Sequence, residues 1–247
     1  MHNSSDKKTI PFLNLFLKAI ERKVDIMSNM LVIFDMDGLM VDTEILHFAA
    51  WKSVLNEVGI DYQKEIFRLT IGRTKSDTDM ILKRCYGEGI DINDLHTKKS
   101  RLIESMLSER VDLKPGLYEL FDYLEIHGMK KVVATSSPKK LAEYILDKIN
   151  VLTRIDGLIT EDDILCGKPN PEIFLKALNF ADAKAGSAIV LEDSKYGLMS
   201  AVQAGIRCIF VPDQLPADDE ILSWAYRVAI SLYEVPDILK SIKCSSI

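Results

Sequence analysis

Asp35 and Asp37 stand two residues apart, directly behind the apolar run Leu31-Val32-Ile33. In extended backbone that spacing puts both carboxylates on one side of the chain. Close acids repel one another, and the end of a buried strand is a costly place to hold them. Two arrangements account for them. They are turn acids, with Asp42-Thr43 ready to cap a following helix, or they serve a site that needs two carboxylates. A hard divalent cation takes oxygen ligands and removes the repulsion. A carboxylate is also an anion at neutral pH, so it needs no base to become a nucleophile. A second acid beside it can pass a proton to a leaving group and take one back from water.

Three further stretches carry groups that could join such a site. Thr135-Ser136-Ser137 ends the apolar run Val132-Val133-Ala134, Lys168 precedes Pro169 in Gly167-Lys168-Pro169-Asn170-Pro171, and Glu192-Asp193-Ser194 ends Val190-Leu191. Taken singly, each has an ordinary explanation: a helix cap for the hydroxyls, a surface lysine before a helix, a solvated acidic turn.

The elements that must position these groups follow from periodicity. Residues 31–35, 131–135, 155–159, 188–191 and 208–211 form short apolar runs, as expected of strands buried on both faces. Between them, residues 117–127, 138–149, 171–181 and 195–204 have apolar groups at helical spacing; Gly128 and Gly205 stop two of these segments, and Pro138 and Pro171 suit first turns. Strand–helix alternation predicts an α/β fold, a doubly wound, Rossmann-like parallel sheet with helices on both faces. Ligands of such sheets sit outside the carboxyl ends of the strands, where Asp35, Thr135 and Glu192-Asp193 fall. Residues 46–111 break the alternation with helical stretches over 45–58, 77–86 and 93–110. The expected organisation is an N-terminal extension over 1–29, a core domain over 30–45 and 112–247, and a small all-helical cap domain over 46–111.

In its order of motifs the chain resembles the haloacid dehalogenase-like superfamily. The stretch FDMDGLMVDTE, residues 34–44, is similar to the first motif of that family's phosphatase and mutase branch. The Thr135, Lys168 and Glu192-Asp193 stretches match its second, third and fourth motifs in order, over about residues 31–211. The resemblance implies that Asp35 attacks phosphorus and becomes an aspartyl phosphate, and that Asp37 is the general acid and base. It implies that Thr135 and the Ser136 backbone N–H hold phosphate oxygens and that Lys168 neutralises charge. It further implies that Asp35, Asp37, Glu192 and Asp193 hold Mg²⁺, with Asp37 giving its backbone carbonyl.

The insertion matches the family's helical cap, which implies that specificity resides there. His47 and Trp51 are four residues apart and share a helix face, and Arg73 lies in the loop before the second expected cap helix. In the β-phosphoglucomutase branch a histidine and an arginine at similar positions serve proton transfer and the substrate's distal phosphate. Lys98-Lys99, on a polar face, reads as solvated.

The implied function is a Mg²⁺-dependent phosphatase acting on a small phosphorylated metabolite, a sugar phosphate or nucleoside monophosphate. The second reading is a β-phosphoglucomutase-like intramolecular phosphotransferase, and the third a non-catalytic binding protein on the same scaffold. Dehalogenation is disfavoured, because that branch lacks the second aspartate, present here as Asp37.

The whole-chain properties fit this. The 247 residues, 47% apolar and 28% charged, suffice for one large core and an accessory domain. A net charge of −6 argues against nucleic acid or an anionic membrane as main partner. The four cysteines have no metal-binding spacing and read as thiols of a reducing compartment, so the expected location is cytoplasmic. No apolar run has membrane-spanning length, and the N-terminal apolar stretch, broken by Asn14, is a poor signal peptide. A monomer or weak homodimer is expected.

Overall fold

The computed structural model describes residues 30–71, 73, 75–214 and 216–244. The extension expected over 1–29 lies outside the described residues. Six strands form one parallel sheet in the order β3-β2-β1-β4-β5-β6: β1 (Leu31–Phe34), β2 (Lys130–Ala134), β3 (Gly157–Ile159), β4 (Ala188–Glu192), β5 (Arg207–Phe210) and β6 (Arg227–Val228). Starting at β1, the chain winds outward through β2 to β3, then returns to place β4 on the other side of β1. The strand order therefore reverses between β1 and β4, and a crevice opens at their carboxyl ends.

Alternation along the strands fills both sides of the sheet. Val32 and Phe34 point with Val133, Ile189 and Leu191 into a layer made by α5 (Leu117–Ile126), α6 (Lys139–Lys148) and α10 (Val235–Cys244). Leu31 and Ile33 point with Val132, Val190 and Cys208 against α7 (Glu172–Ala181), α8 (Lys195–Gln203) and α9 (Asp219–Trp224). The strands are buried on both faces, which explains their continuous apolar runs.

Between β1 and α5 lie four helices: α1 (Glu44–Glu57), α2 (Lys64–Thr70), α3 (Lys75–Tyr86) and α4 (Ile92–Glu109). Trp51, Val54, Leu55, Tyr62, Phe67, Leu82 and Leu95 form their separate apolar cluster. Ala50 of α1 and Ile103 and Leu107 of α4 instead join the core layer, so the helical insertion, here called the cap, is packed on the core at its near end. The chain leaves and re-enters the core side by side: Asp42 N–H donates to the Asp112 carbonyl at 2.8 Å, and Lys114 N–H to the Met40 carbonyl at 3.0 Å.

The differences from the sequence expectation are local. Helix α2 was not anticipated, because seven residues give too few turns to show a period. Helix α3 begins at Lys75, two residues earlier than expected, and β3 is trimmed to three residues after a 3₁₀ turn over Leu152–Arg154. Strand β6, two exposed edge residues, carries no apolar signal at all.

Candidate active site

Three strand ends build the floor of the crevice. Asp35 follows β1 directly, and its N–H continues the ladder by donating to the Leu191 carbonyl at 3.0 Å. Thr135 follows β2 and does the same to the Ile159 carbonyl at 3.0 Å. Glu192 is the last residue of β4, and Asp193 follows it.

Lys168 is the hub. Its side chain is 1% exposed, and Nζ donates to Asp35 Oδ1 and, at 2.5 Å, to Glu192 Oε1. The other Glu192 oxygen accepts from Ser194 N–H at 2.8 Å and Ser194 Oγ at 2.9 Å. Ser194 Oγ in turn caps α8 by accepting from Gly197 N–H at 3.0 Å. A Cβ on Gly197 would collide with the Glu192 carboxylate, so glycine is what lets the helix approach so closely. Two buried acids hold the Lys168 ammonium charged against its burial. Both Glu192 oxygens are thus taken up by Lys168 and Ser194. Glu192, expected among the metal ligands, has hydrogen-bond partners on both oxygens in this arrangement.

Asp37 faces a different set. Its Oδ1 accepts from Thr43 Oγ1 at 2.5 Å, and its Oδ2 from Ser137 Oγ at 2.8 Å and Thr135 Oγ1 at 3.3 Å. Three hydroxyls therefore hold its carboxylate, while its main-chain carbonyl accepts from no N–H among the described residues. Gly38, at φ +84°, turns the chain beside Asp193; a Cβ there would strike the Asp193 carboxylate. Ser136 Oγ is buried without a hydrogen-bond partner among the described residues.

Crowding marks the acids. Burial pushes the Asp35 carboxyl up to about 8, with Lys168 acting against the rise and Glu192 and Asp37 adding to it. Asp193 is driven well above the usual carboxylate range, first by burial and then by Glu192 and Asp35. Acids raised by one another are the environment that a bound cation reverses. Among the described residues no three acidic, histidine or cysteine side chains are grouped to ligate one ion. The oxygens that could hold an ion here are the Asp35 and Asp193 carboxylates and the Asp37 carbonyl. That hard oxygen set suits Mg²⁺, which keeps several of its waters.

Above this floor is a cavity of about 880 Å³, roofed by the cap. Asp35, Asp37, Asp193, Thr135 and Ser136 line it from below, and Glu44, His47, Trp51, Arg73 and Lys99 from the cap side. Lys99 of α4, expected to be solvated, instead turns inward: its Nζ donates to His47 Nδ1 at 2.9 Å and lies 5.2 Å from the centre of the Trp51 ring. Burial lowers Lys99 to about 8, against the pull of Glu44 and Asp37. His47 is held well below its usual value by burial and by the Lys99 ammonium, so its imidazole is neutral. Glu44, the last residue of the FDMDGLMVDTE stretch, is a further acid of the cavity, raised to about 8 by burial and by Asp37. Arg73 lines the cavity but points toward the core, where its Nη2 donates to Tyr196 Oη. The sequence thus missed Lys99 and Tyr196, whose contacts join segments far apart in the chain.

A sequence model of the haloacid dehalogenase-like hydrolases matches residues 32–211, most of the chain and all of the floor residues. The chain belongs to the haloacid dehalogenase-like hydrolases. Among enzymes of this family, it is 30% identical over 220 residues to the phosphorylated carbohydrates phosphatase of Thermotoga maritima, covering 85% of this chain and 98% of that one. It is 27% identical over 192 residues to the β-phosphoglucomutase of Bacillus subtilis, covering 75% of this chain and 84% of that one. The crystal structure of CbbY from Rhodobacter sphaeroides in complex with phosphate superposes with a TM-score of 0.74 at 26% identity, over 83% of this chain and 96% of that one. The chain is accordingly a haloacid dehalogenase-like enzyme of the β-phosphoglucomutase-like branch, whose named members here are phosphatases and a phosphomutase.

Proposed function

We propose that the protein is a Mg²⁺-dependent phosphatase of small phosphorylated carbohydrates that works through an aspartyl phosphate on Asp35. The observation that carries this is the buried Asp35–Lys168–Glu192 cluster at the floor of the cavity, with Asp37 beside it on three hydroxyls. Asp35 attacks phosphorus, forming its Oδ–P bond as the bond to the carbohydrate oxygen breaks. Asp37 protonates that leaving oxygen. It then takes a proton from the water that attacks phosphorus, so inorganic phosphate leaves and the Asp35 carboxylate returns. The Thr135 hydroxyl and the Ser136 N–H hold phosphate oxygens, and the unpartnered Ser136 Oγ is a further donor at the same place. Lys168 offsets the charge that builds between nucleophile and phosphate, with Glu192 orienting it. Mg²⁺, held by the Asp35 and Asp193 carboxylates and the Asp37 carbonyl, would supply further neutralisation of that charge.

Hydrolysis, as opposed to transfer within the sugar, is favoured by access. Lys75, Asn93, Thr97 and Lys140, at the cavity wall, are all exposed, which supports entry of water from that side. The likeness to a phosphatase of phosphorylated carbohydrates over 98% of that protein's length supports the same choice. A mutase remains the second reading because His47 and Arg73 both line the cavity from the cap.

Asp35→Asn tests the nucleophile. It keeps the hydrogen-bonding shape but not the anion, so kcat on p-nitrophenyl phosphate should fall by about three orders of magnitude or more with the fold unchanged by circular dichroism. Retention of a tenth of the activity would remove Asp35 from its role.

A further inference from the structure

His96 and Asp79 form a pair in the cap that the reaction leaves unused. Asp79 lies on α3 and His96 on α4, and their side chains meet through Nε2 and Oδ1. The imidazole packs edge-on against Trp51, with ring centres 4.9 Å apart at 75°. It also lines the cavity, with 15% of its side chain exposed. Burial lowers the pKa of the ring, the Asp79 carboxylate pulls the other way, and Lys75 and Lys99 lower it further. At neutral pH the ring is therefore uncharged.

An uncharged imidazole has one N–H and one lone pair. Nε2 faces a carboxylate, which accepts, so the proton sits there and Nδ1 keeps the lone pair. Among the described residues Nδ1 has no hydrogen-bond partner, and it is not one of the buried unpaired atoms. It therefore opens to the space that His96 lines. Trp51 and Asp79 already hold the ring, so offering that lone pair to a ligand costs little side-chain freedom.

The place of His96 along α4 says which part of a substrate would meet it. Ile103 and Leu107 of this helix pack on the core, whereas Ile92 and Leu95 belong to the cap cluster. Lys99 stands between them, bonded to His47. His96 is three residues nearer the cap end on the same face, about 4.5 Å further along the helix from the core.

We propose that His96 is a specificity residue: its Nδ1 accepts a hydrogen bond from a hydroxyl at the end of the carbohydrate far from phosphorus. This rests on the phosphatase reading, which seats the phosphate at Asp35. A site built to bond a substrate hydroxyl discriminates against the analogue that lacks it, because its own polar group is then left unpaired. The simpler possibility is that the Asp79–His96 pair only braces α3 against α4, in which case its loss weakens turnover of every substrate alike.

Phosphate release by the full chain with Mg²⁺ separates the two. The substrates are the 1- and 6-phosphates of glucose and of fructose, beside p-nitrophenyl phosphate, which has no hydroxyl. His96→Phe keeps a ring against Trp51 but has no acceptor. For the best of the four sugars its kcat/KM should fall about fivefold, through KM, as loss of one neutral hydrogen bond implies. Its kcat on that sugar, and its kcat/KM on p-nitrophenyl phosphate, should stay within about twofold. His96→Ala should show the same selective loss, so the test stands if either variant folds by circular dichroism. His96→Gln, whose amide can donate to Asp79 and still offer an oxygen, should lose clearly less. On the deoxy form of that sugar lacking the bonded hydroxyl, wild-type and His96→Phe proteins should be equal, as a double-mutant cycle requires. The proposal is overturned if His96→Phe lowers kcat/KM for p-nitrophenyl phosphate and sugars alike, or if it leaves their ratio unchanged. It is also overturned if the wild-type protein hydrolyses p-nitrophenyl phosphate but none of the four sugars. The phosphatase reading fails separately, if the wild-type protein releases phosphate from none of the five.

Discussion

Lys168 and Glu192 show how one buried ion pair can set the chemistry of a third group. The lysine lies between two acids at almost no exposure, so one ammonium faces two carboxylates and one negative charge is left over. Glu192 is assigned here to the lysine, which distinguishes it sharply from Asp193. Glu192→Gln should destabilise the protein by about 1.5–3 kcal/mol in urea unfolding, because charge-assisted bonds are lost while Lys168 keeps Asp35. Its Mg²⁺ affinity should fall much less than that of Asp193→Asn, measured in parallel by calorimetry. Equal losses of Mg²⁺ affinity in the two variants, with Glu192→Gln otherwise stable, would return Glu192 to the metal.

At the scale of elements, helices α1 and α4 meet across the cavity through His47 and Lys99. The ammonium donates to Nδ1 and its charge opposes protonation of the ring, so removing it must raise the histidine's pKa. In Lys99→Met the His47 resonance should titrate closer to the usual value near 6.5, still lowered by burial; an unchanged titration would mean that the two side chains do not face one another in solution. This pair also shows where sequence ceases to inform. The floor was legible because Asp35, Thr135 and Glu192-Asp193 each end an apolar strand, and a parallel sheet brings strand ends together whatever the loops do. Lys99 was not, because 52 residues separate it from His47 and nothing in a polar helix face says which lysine turns inward. Tyr196 and Arg73, 123 residues apart, were invisible as a pair for the same reason. Helix α2 and strand β6 escaped notice because seven and two residues are too few to display a period.

For the whole molecule, the α/β sheet places the floor acids at its switch point, and a helical insertion supplies the walls of the cavity above them. Among the described residues no helix is long and apolar enough to cross a membrane. In the proposed mechanism this arrangement leaves one decision to the cap: whether water or a second hydroxyl of the sugar meets the phosphorylated Asp35. The cavity walls reach exposed residues, and the proposed hydrolysis rests on that access. The most direct measurement gives the enzyme β-glucose 1-phosphate with Mg²⁺ and a trace of glucose 1,6-bisphosphate, beside a panel of phosphorylated carbohydrates, and follows inorganic phosphate and glucose 6-phosphate together. The account predicts that some member of the panel is consumed with equal release of phosphate, that EDTA stops the release and that added Mg²⁺ restores it. Rapid formation of glucose 6-phosphate with almost no phosphate released from any member would contradict it and make the protein a mutase.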